Sequence, residues 1–292
     1  MLNRIKSELL NVGLKFISVD EKIVRMILET SPSNVNEIVI LPAIKILMKK
    51  LTQKLQNKRN YGRVYSGELN NVKVSIISSL IGAPNCAMVV EALKRCKTKI
   101  IIRIDVCGGI ENEIKPINIG DILVPKLAFC DDGTCPQYFR ENPALINELE
   151  SIPNPIGKFQ NIFTGNQTVY ISKPNETLNQ ILFNNGSAFL GNKVKLVDLW
   201  TTDALFCESL DFVKALSSIN IQCIDMESSI LFLLGKIYNL KTSSILSVSD
   251  LPGHPKYDLL NSNEIHPEME NGIDNTIKIL IKSLPQIKNQ LL

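Results

Sequence analysis

The chain has 292 residues but only two histidines, His254 and His266, and a single tryptophan. A histidine-built metal centre is therefore excluded by supply. The cysteines do not replace it. They stand at 86, 96, 107, 130, 135, 207 and 223, with no Cys-x-x-Cys pair and no Cys/His cluster. An odd count without a regular framework reads as free thiols in a reducing, cytoplasmic setting. Long apolar runs are lacking as well. No stretch approaches the ~18 residues that mark a membrane span, and the start, MLNRIKSELLNVGLKF, has no unbroken apolar core of signal-peptide length. Charge of one sign is also scarce: 32 basic against 29 acidic residues leave +3. So small an excess gives no case for nucleic acid or an anionic membrane as partner.

What is present is an ordinary globular composition, 45% hydrophobic and 21% charged, in a chain long enough for one large core. Strand patterns alternate with helical ones. Glu37–Leu41 reads as a short strand and 44–55 as a basic amphipathic helix. Strands 63–69 and 72–78 flank the turn signal Asn70-Asn71. A helix over 86–96 follows, then the strand KIIIRIDV, whose apolar run predicts burial on both faces, then a turn and strand from Gly120 to Pro125. The spacing predicts a helix over 143–151, with Asn142 as its cap, and short pieces broken at Asn175 and at Asn184-Asn185-Gly186. A strand over 193–199, a helix over 208–218 and a terminal helix over 268–284 complete the pattern. The fold class expected is a single-domain α/β/α three-layer sandwich with a central mixed sheet flanked by helices. Residues 1–35 read as a helical extension before a domain spanning 36–292.

Function concentrates in Gln222–Asp250. Asp225-Met226-Glu227 opens an apolar helical run that lasts to Tyr238, and Ser249-Asp250 closes a buried strand over 245–248. Ligands in α/β proteins collect beyond the C-terminal ends of strands. An acid entering a helix and an acid leaving a strand can therefore face one cleft. Acids and serines are also common helix caps, so the positions alone leave a structural role open. Leu205 and Phe206 likewise read equally well as core or as an apolar wall.

These segments resemble the purine and uridine nucleoside phosphorylase superfamily over roughly residues 60–285. The similarity rests on Ile81-Gly82-Ala83-Pro84-Asn85, on Ile101 to Ile110 with Arg103, on Gly120-Asp121, on Thr202-Asp203-Ala204-Leu205-Phe206, and on Met226-Glu227 followed by Ser249-Asp250. It implies phosphorolysis of a purine nucleoside or uridine to free base and ribose 1-phosphate, a pentosyltransferase activity of nucleoside salvage. Met226 and Glu227 would hold the ribose. Asp250, with Leu205 and Phe206, would hold the base, and Glu227 and Asp250 would carry the catalysis. Asp250 tilts the base towards purine. Arg103 and Val106 would take the phosphate. No cofactor or metal is implied, only inorganic phosphate as co-substrate, and a homo-oligomer, from dimer to hexamer, is expected.

The phosphate side departs from the pattern. The expected Gly-Asp-Pro-x-Arg loop reads Ile40-Leu41-Pro42-Ala43-Ile44, Asp105 replaces a glycine, and Val106 replaces a hydroxyl residue. Two further readings therefore stand beside phosphorolysis: a hydrolytic nucleosidase, with Glu37 as the early candidate base, and an inactive nucleoside-binding or assembly homologue. Arg59 or Arg63 is a candidate for a cross-subunit arginine. Lys256 or His254 is a candidate helper for Asp250.

Overall fold

Period-two alternation in two buried strands sets the architecture. In β1 (Ile38–Leu41), Ile38 and Ile40 enter one apolar cluster, while Val39 and Leu41 enter another on the opposite face. β5 (Ile100–Gly109) pairs with it in parallel, Ile38 opposite Ile100 through Leu41 opposite Arg103. Ile100, Ile102 and Ile104 share the first face, and Ile101 and Cys107 the second. The pleat therefore puts Arg103 and Asp105 on the second face, between apolar neighbours.

The structure is a computed structural model and describes residues 17–111, 116–159, 164–263 and 265–292. The expected helical reading of residues 1–16 lies outside these. The chain continues through α1 (Val19–Leu28), β1, α2 (Lys45–Lys54), β2 (Gln56–Tyr61), β3 (Val64–Leu69), β4 (Val72–Ile77), α3 (Ala83–Leu93) and β5. It then forms β6 (Ile122–Cys130), α4 (Cys135–Glu141), β7 (Ser151–Pro153), β8 (Thr168–Ser172), α5 (Glu176–Leu190) and β9 (Val194–Thr201). The last elements are α6 (Leu210–Ser217), β10 (Cys223–Asp225), α7 (Ser228–Tyr238), β11 (Lys241–Asp250) and α8 (Pro267–Leu291).

Helices cover both faces of a mixed sheet, as the alternation predicts. Leu47 and Leu51 of α2, Leu178 and Leu182 of α5, and Ile273, Ile277 and Leu280 of α8 pack on the first face. Val24 and Leu28 of α1, Cys86 and Val90 of α3, and the apolar run of α7 pack on the second. The strands run in the order β2-β3-β4-β1-β5-β10-β9-β6-β8-β7, and β11 pairs with both β5 and β6. Following the ladders gives a closed circuit, β5–β11–β6–β9–β10 and back to β5. Part of the sheet is thus a small barrel, from which β1, β4, β3 and β2 extend as an open wing.

Four details differ from the sequence reading. Pro143–Asn147 is a 3-10 turn rather than the start of a helix, and Asn142 makes no capping bond there. The helix of this region lies earlier, as α4, where Asp132 Oδ1 accepts from the N–H groups of Thr134 (2.8 Å) and Cys135 (2.7 Å). Asn184-Asn185-Gly186 does not break the chain but lies within α5, since a buried apolar stripe outweighs local turn preference. β2 has no sequence signal because its residues are almost all exposed on a sheet edge. α8 continues seven residues past Leu284, through Pro285 to Leu291, with Ile287 buried beyond the proline.

Candidate active site

Asp225 ends β10, and three residues later α7 begins. The Asp225 side chain caps that helix, its Oδ2 accepting from Ser228 N–H at 3.0 Å and its Oδ1 from Thr201 Oγ1 at 2.7 Å. Glu227 occupies the cap position itself but makes no capping bond. Its carboxylate is therefore free to point elsewhere. Its Oε1 accepts from Gly82 N–H at 2.6 Å, and its Oε2 from Arg103 Nη2. Gly82 precedes α3 with φ +99°, a backbone state open to glycine and strained for other residues. That conformation is what presents the amide to Glu227.

Arg103 is 2% exposed and is ringed by acids. Besides Glu227, Asp225 Oδ2 lies 3.1 Å from its Nη1 and Asp105 Oδ2 3.6 Å from its Nη2. Burial opposes its charge, but the three carboxylates outweigh that and hold its pKa above the ordinary value. Burial pushes the Glu227 carboxyl up to about 7, with Arg103 working against it. Asp105 is raised for the same first reason. Asp105 Oδ2 accepts from Ala43 N–H at 2.6 Å and its Oδ1 from Val106 N–H at 3.0 Å. The backbone donors of the 41–44 loop and of the Val106 position are thus turned onto an internal carboxylate.

Asp250 comes from the C-terminal end of β11. It pairs with Gly108, after an irregularity in register between Val248 and Asp250, the kind of bulge that re-aims a side chain. Asp250 Oδ1 lies 2.6 Å from Ser249 Oγ, and Oδ2 accepts from Leu259 N–H at 3.4 Å. Burial raises its pKa, with nearby Asp258 adding to the effect and the two hydrogen bonds opposing it. A Cβ at Gly108 would come within 2.8 Å of Pro252, so glycine lets the loop after β11 close down on β5.

These groups border one cavity of about 240 Å³. Arg103, Val106, Leu205, Met226, Glu227 and Asp250 all line it. Phe206 does not; it is 85% exposed. Glu37 pairs with Lys99 at 2.6 Å and is no part of the cavity wall. Arg63 is engaged by the carbonyls of Ile27 (2.9 Å) and Ser78 (3.2 Å), while Arg59 stands on exposed β2. His254 accepts from the N–H groups of Lys256 and Tyr257, and neither His254 nor Lys256 lines the cavity. A larger cavity, about 1050 Å³, lies beside β9 and the start of α8. None of Arg103, Glu227 or Asp250 borders it, and its lysines are engaged, Lys195 by Asp121 and Lys193 by Glu268.

The family model described as the phosphorylase superfamily matches residues 37–285. The chain belongs to the phosphorylase superfamily. Among relatives, it is 24% identical over 221 residues to the DeoD-type purine nucleoside phosphorylase of Brevibacillus brevis, covering 73% of this chain and 81% of that one. It is 28% identical over 187 residues to the DeoD-type enzyme of Buchnera aphidicola, covering 64% and 66%. Two solved structures share the fold. Purine nucleoside phosphorylase from Toxoplasma gondii, in complex with immucillin-H, aligns with TM-score 0.67 at 20% identity, over 90% of this chain and 96% of that one. Uridine phosphorylase from Vibrio fischeri aligns with TM-score 0.65 at 21% identity, over 87% and 94%. The superfamily match begins at 37, just before β1, and so excludes α1.

Sequence reasoning missed the contacts made by Asp225, Gly82 and Ala43 and the place of Glu208 in the cavity wall. Asp225 was visible only as a neighbour of the Met-Glu pair. Glu208 looks like an acid in the first turn of the following helix, a position the dipole favours on its own. Among the described residues no helix is long and apolar enough to cross a membrane.

Proposed function

We propose that the protein is a nucleoside phosphorylase that cleaves the N-glycosidic bond of a purine nucleoside, releasing free base and ribose 1-phosphate. The observation that carries this is that Glu227 and Asp250 line one cavity together with Met226 and Leu205. As the C1′–N9 bond breaks, positive charge grows on the ribose and the bonding electron pair moves onto the base. Glu227, fixed by Arg103 and Gly82, orients the sugar hydroxyls and stabilises the cationic ring. Asp250, its pKa raised by burial, gives a proton to the leaving purine. A phosphate oxygen then bonds to C1′. The reading calls for no cofactor or metal beyond inorganic phosphate. It places the enzyme in the cytoplasm as a homo-oligomer, which light scattering of the purified protein tests.

A second acceptor, water, is favoured by one observation. Arg103 faces three carboxylates, and the N–H groups of Ala43 and Val106 already donate to Asp105. A phosphate dianion would meet little free positive charge there. The deciding measurement is base release from inosine, guanosine, adenosine and uridine, each with and without phosphate. Phosphate-dependent release supports phosphorolysis. Release unaffected by phosphate assigns hydrolysis, and no release from any of the four overturns both.

A further inference from the structure

The loop between β4 and α3, residues 78–82, brings Ile81 to the cavity wall and the Gly82 amide to Glu227. Its backbone is strained. Leu80 has φ +60° and Gly82 φ +99°, and a left-handed state is open to glycine but unfavourable for leucine. The Leu80 side chain is 47% exposed, so its own burial does not explain the conformation. Strain of this kind persists where surrounding contacts impose it. Inside the loop, Leu80 N–H donates to Ser78 Oγ (3.2 Å) and Ser79 Oγ to the Leu80 carbonyl (2.8 Å). The base of the loop is tied to other elements by Ser79 N–H, which donates to the Pro42 carbonyl at 3.0 Å, and by Arg63 Nη2, which donates to the Ser78 carbonyl at 3.2 Å.

Arg63 has a second hold. Its Nη1 donates to the Ile27 carbonyl at 2.9 Å and its backbone N–H to the Leu28 carbonyl at 3.0 Å, both in the last turn of α1. A cation is favoured at a helix C-terminus, and the planar guanidinium lets one side chain reach two carbonyls. α1 is itself firmly seated. Val24 and Leu28 are fully buried, Arg95 of the segment after α3 donates to Asp20 at 2.9 Å, and a Cβ at Gly62 would lie 2.4 Å from the Glu29 carbonyl oxygen. α1 also precedes residue 37, where the superfamily match begins. A helix outside the matched segment is thus bonded, through one arginine, to the loop that fixes a cavity acid.

We propose that Arg63 is a positioning residue: it braces loop 78–82 against α1 and thereby holds the Gly82 amide on Glu227. The effect on catalysis rests on the nucleoside-cleaving function proposed above; the brace itself does not. Gly82 N–H takes one oxygen of Glu227 and Arg103 the other. Without the amide the carboxylate can swing about its remaining bond to Arg103. Small displacements of a positioning group are costly to a reaction that depends on orientation.

The test uses the full chain with Arg63→Met and reads two quantities. In hydrogen exchange, segment 79–85 should exchange about tenfold faster than in the wild type while β5 and α7 keep their protection. In base release from inosine, kcat should fall by about tenfold with KM within about twofold, the split expected when an interaction made in the transition state is lost. Adding Leu80→Asn should restore much of both, because asparagine accepts the left-handed state and the loop then needs less bracing. A purely structural role of Arg63 would not be rescued at Leu80. If Arg63→Met does not fold, Arg63→Lys is read in the same way, since it keeps the charge beside α1 but not the fork. Unchanged exchange of 79–85 overturns the proposal. Faster exchange spread evenly over the protein overturns it, as does failure of the Leu80→Asn rescue. A wild-type kcat in a variant whose loop has loosened removes the link to Glu227. If the wild type releases no base from any nucleoside, the proposed function falls, and the exchange of 79–85 still decides whether the brace exists.

Discussion

The two ends of the cavity treat their acids in opposite ways. At the Arg103 end, three carboxylates share one buried guanidinium and a set of backbone N–H groups, so most of the polar atoms are matched from within the protein. At the Asp250 end, among the described residues, Asp250 holds only a serine hydroxyl and one long backbone contact, and Glu208 meets no hydrogen-bond donor. The first arrangement satisfies the carboxylate oxygens from within the protein, although Nε and Nη1 of Arg103 are buried without a hydrogen-bond partner, and it suits a group that positions a sugar. The second leaves acids raised by burial and waiting for donors, and suits a group that exchanges a proton or reads a base. The contrast also shows why the missing phosphate motifs do not destabilise the fold. Asp105 answers the amides of Ala43 and Val106 that an anion would otherwise meet, and keeps both of them satisfied.

The largest effect expected is at the Arg103 end. Glu227→Ala should abolish base release from every nucleoside, measured by chromatography of the products. Turnover at the wild-type rate would remove Glu227 from the reaction. Arg103→Met should follow, because it strands three buried acids. A loss of about 3–5 kcal/mol in urea unfolding is expected at neutral pH, as for one-sided removal of a buried pair. The loss should shrink on acidification, since Glu227 and Asp105, both with raised values, take up protons and relieve the repulsion. At the other end, Asp250→Asn should slow purine nucleosides by ~10²-fold or more, the usual scale of general acid catalysis, and uridine far less. Equal losses would make Asp250 structural.

A finer test of the contrast is Asp105→Ala. It frees two backbone N–H groups and removes one of the charges facing Arg103. The KM for phosphate should fall by about tenfold if that end accepts an anion at all; an unaltered phosphate response would assign the acceptor role to water. pH-dependent stability sharpens the comparison further. The folded pKa of Glu208 lies above its unfolded value, so the folded state binds more protons than the unfolded state between about 4.5 and about 8. The favourable term from Glu208 is complete below that window and is lost as pH rises through it. Glu208→Gln should therefore melt higher than the wild type at about pH 8.5, by a few degrees per ~1 kcal/mol, with little difference at about pH 4.5. The smallest effect expected is Phe206→Ala. Its ring is almost wholly exposed in the single chain, so stability should stay within about 0.5 kcal/mol, and only a change in oligomeric mass would give this ring an interface role.

The strands that carry the site were legible because burial on both faces writes a strong apolar run. KIIIRIDV and the stretch ending at Asp250 became β5 and β11, and their register brings Asp250 opposite Gly108. The helices α3, α6 and α7 were legible from period and caps. What was not legible depended on contacts distant in sequence. No local pattern tells that Asp225 rather than Glu227 caps α7, or that Ala43 donates to a carboxylate 62 residues away. α5 was hidden because its Asn-Asn-Gly tripeptide mimics a turn, although Gly186 serves to let Val194 pack closely. β2 was hidden because an exposed edge strand has no apolar face to display.

The closed circuit β5–β11–β6–β9–β10 has a consequence for how this protein opens. Arg103, Asp225 and Asp250 all stand on members of that circuit, so no hinge runs between the sugar end and the base end. Separating them requires breaking ladder hydrogen bonds, which makes the cavity floor a single cooperative unit. The amides of Ile104, Leu246 and Ile224 should therefore exchange with solvent deuterium only on global unfolding. Leu259 N–H, on the loop that closes over Asp250, should exchange early and lengthen its protection when a purine is bound.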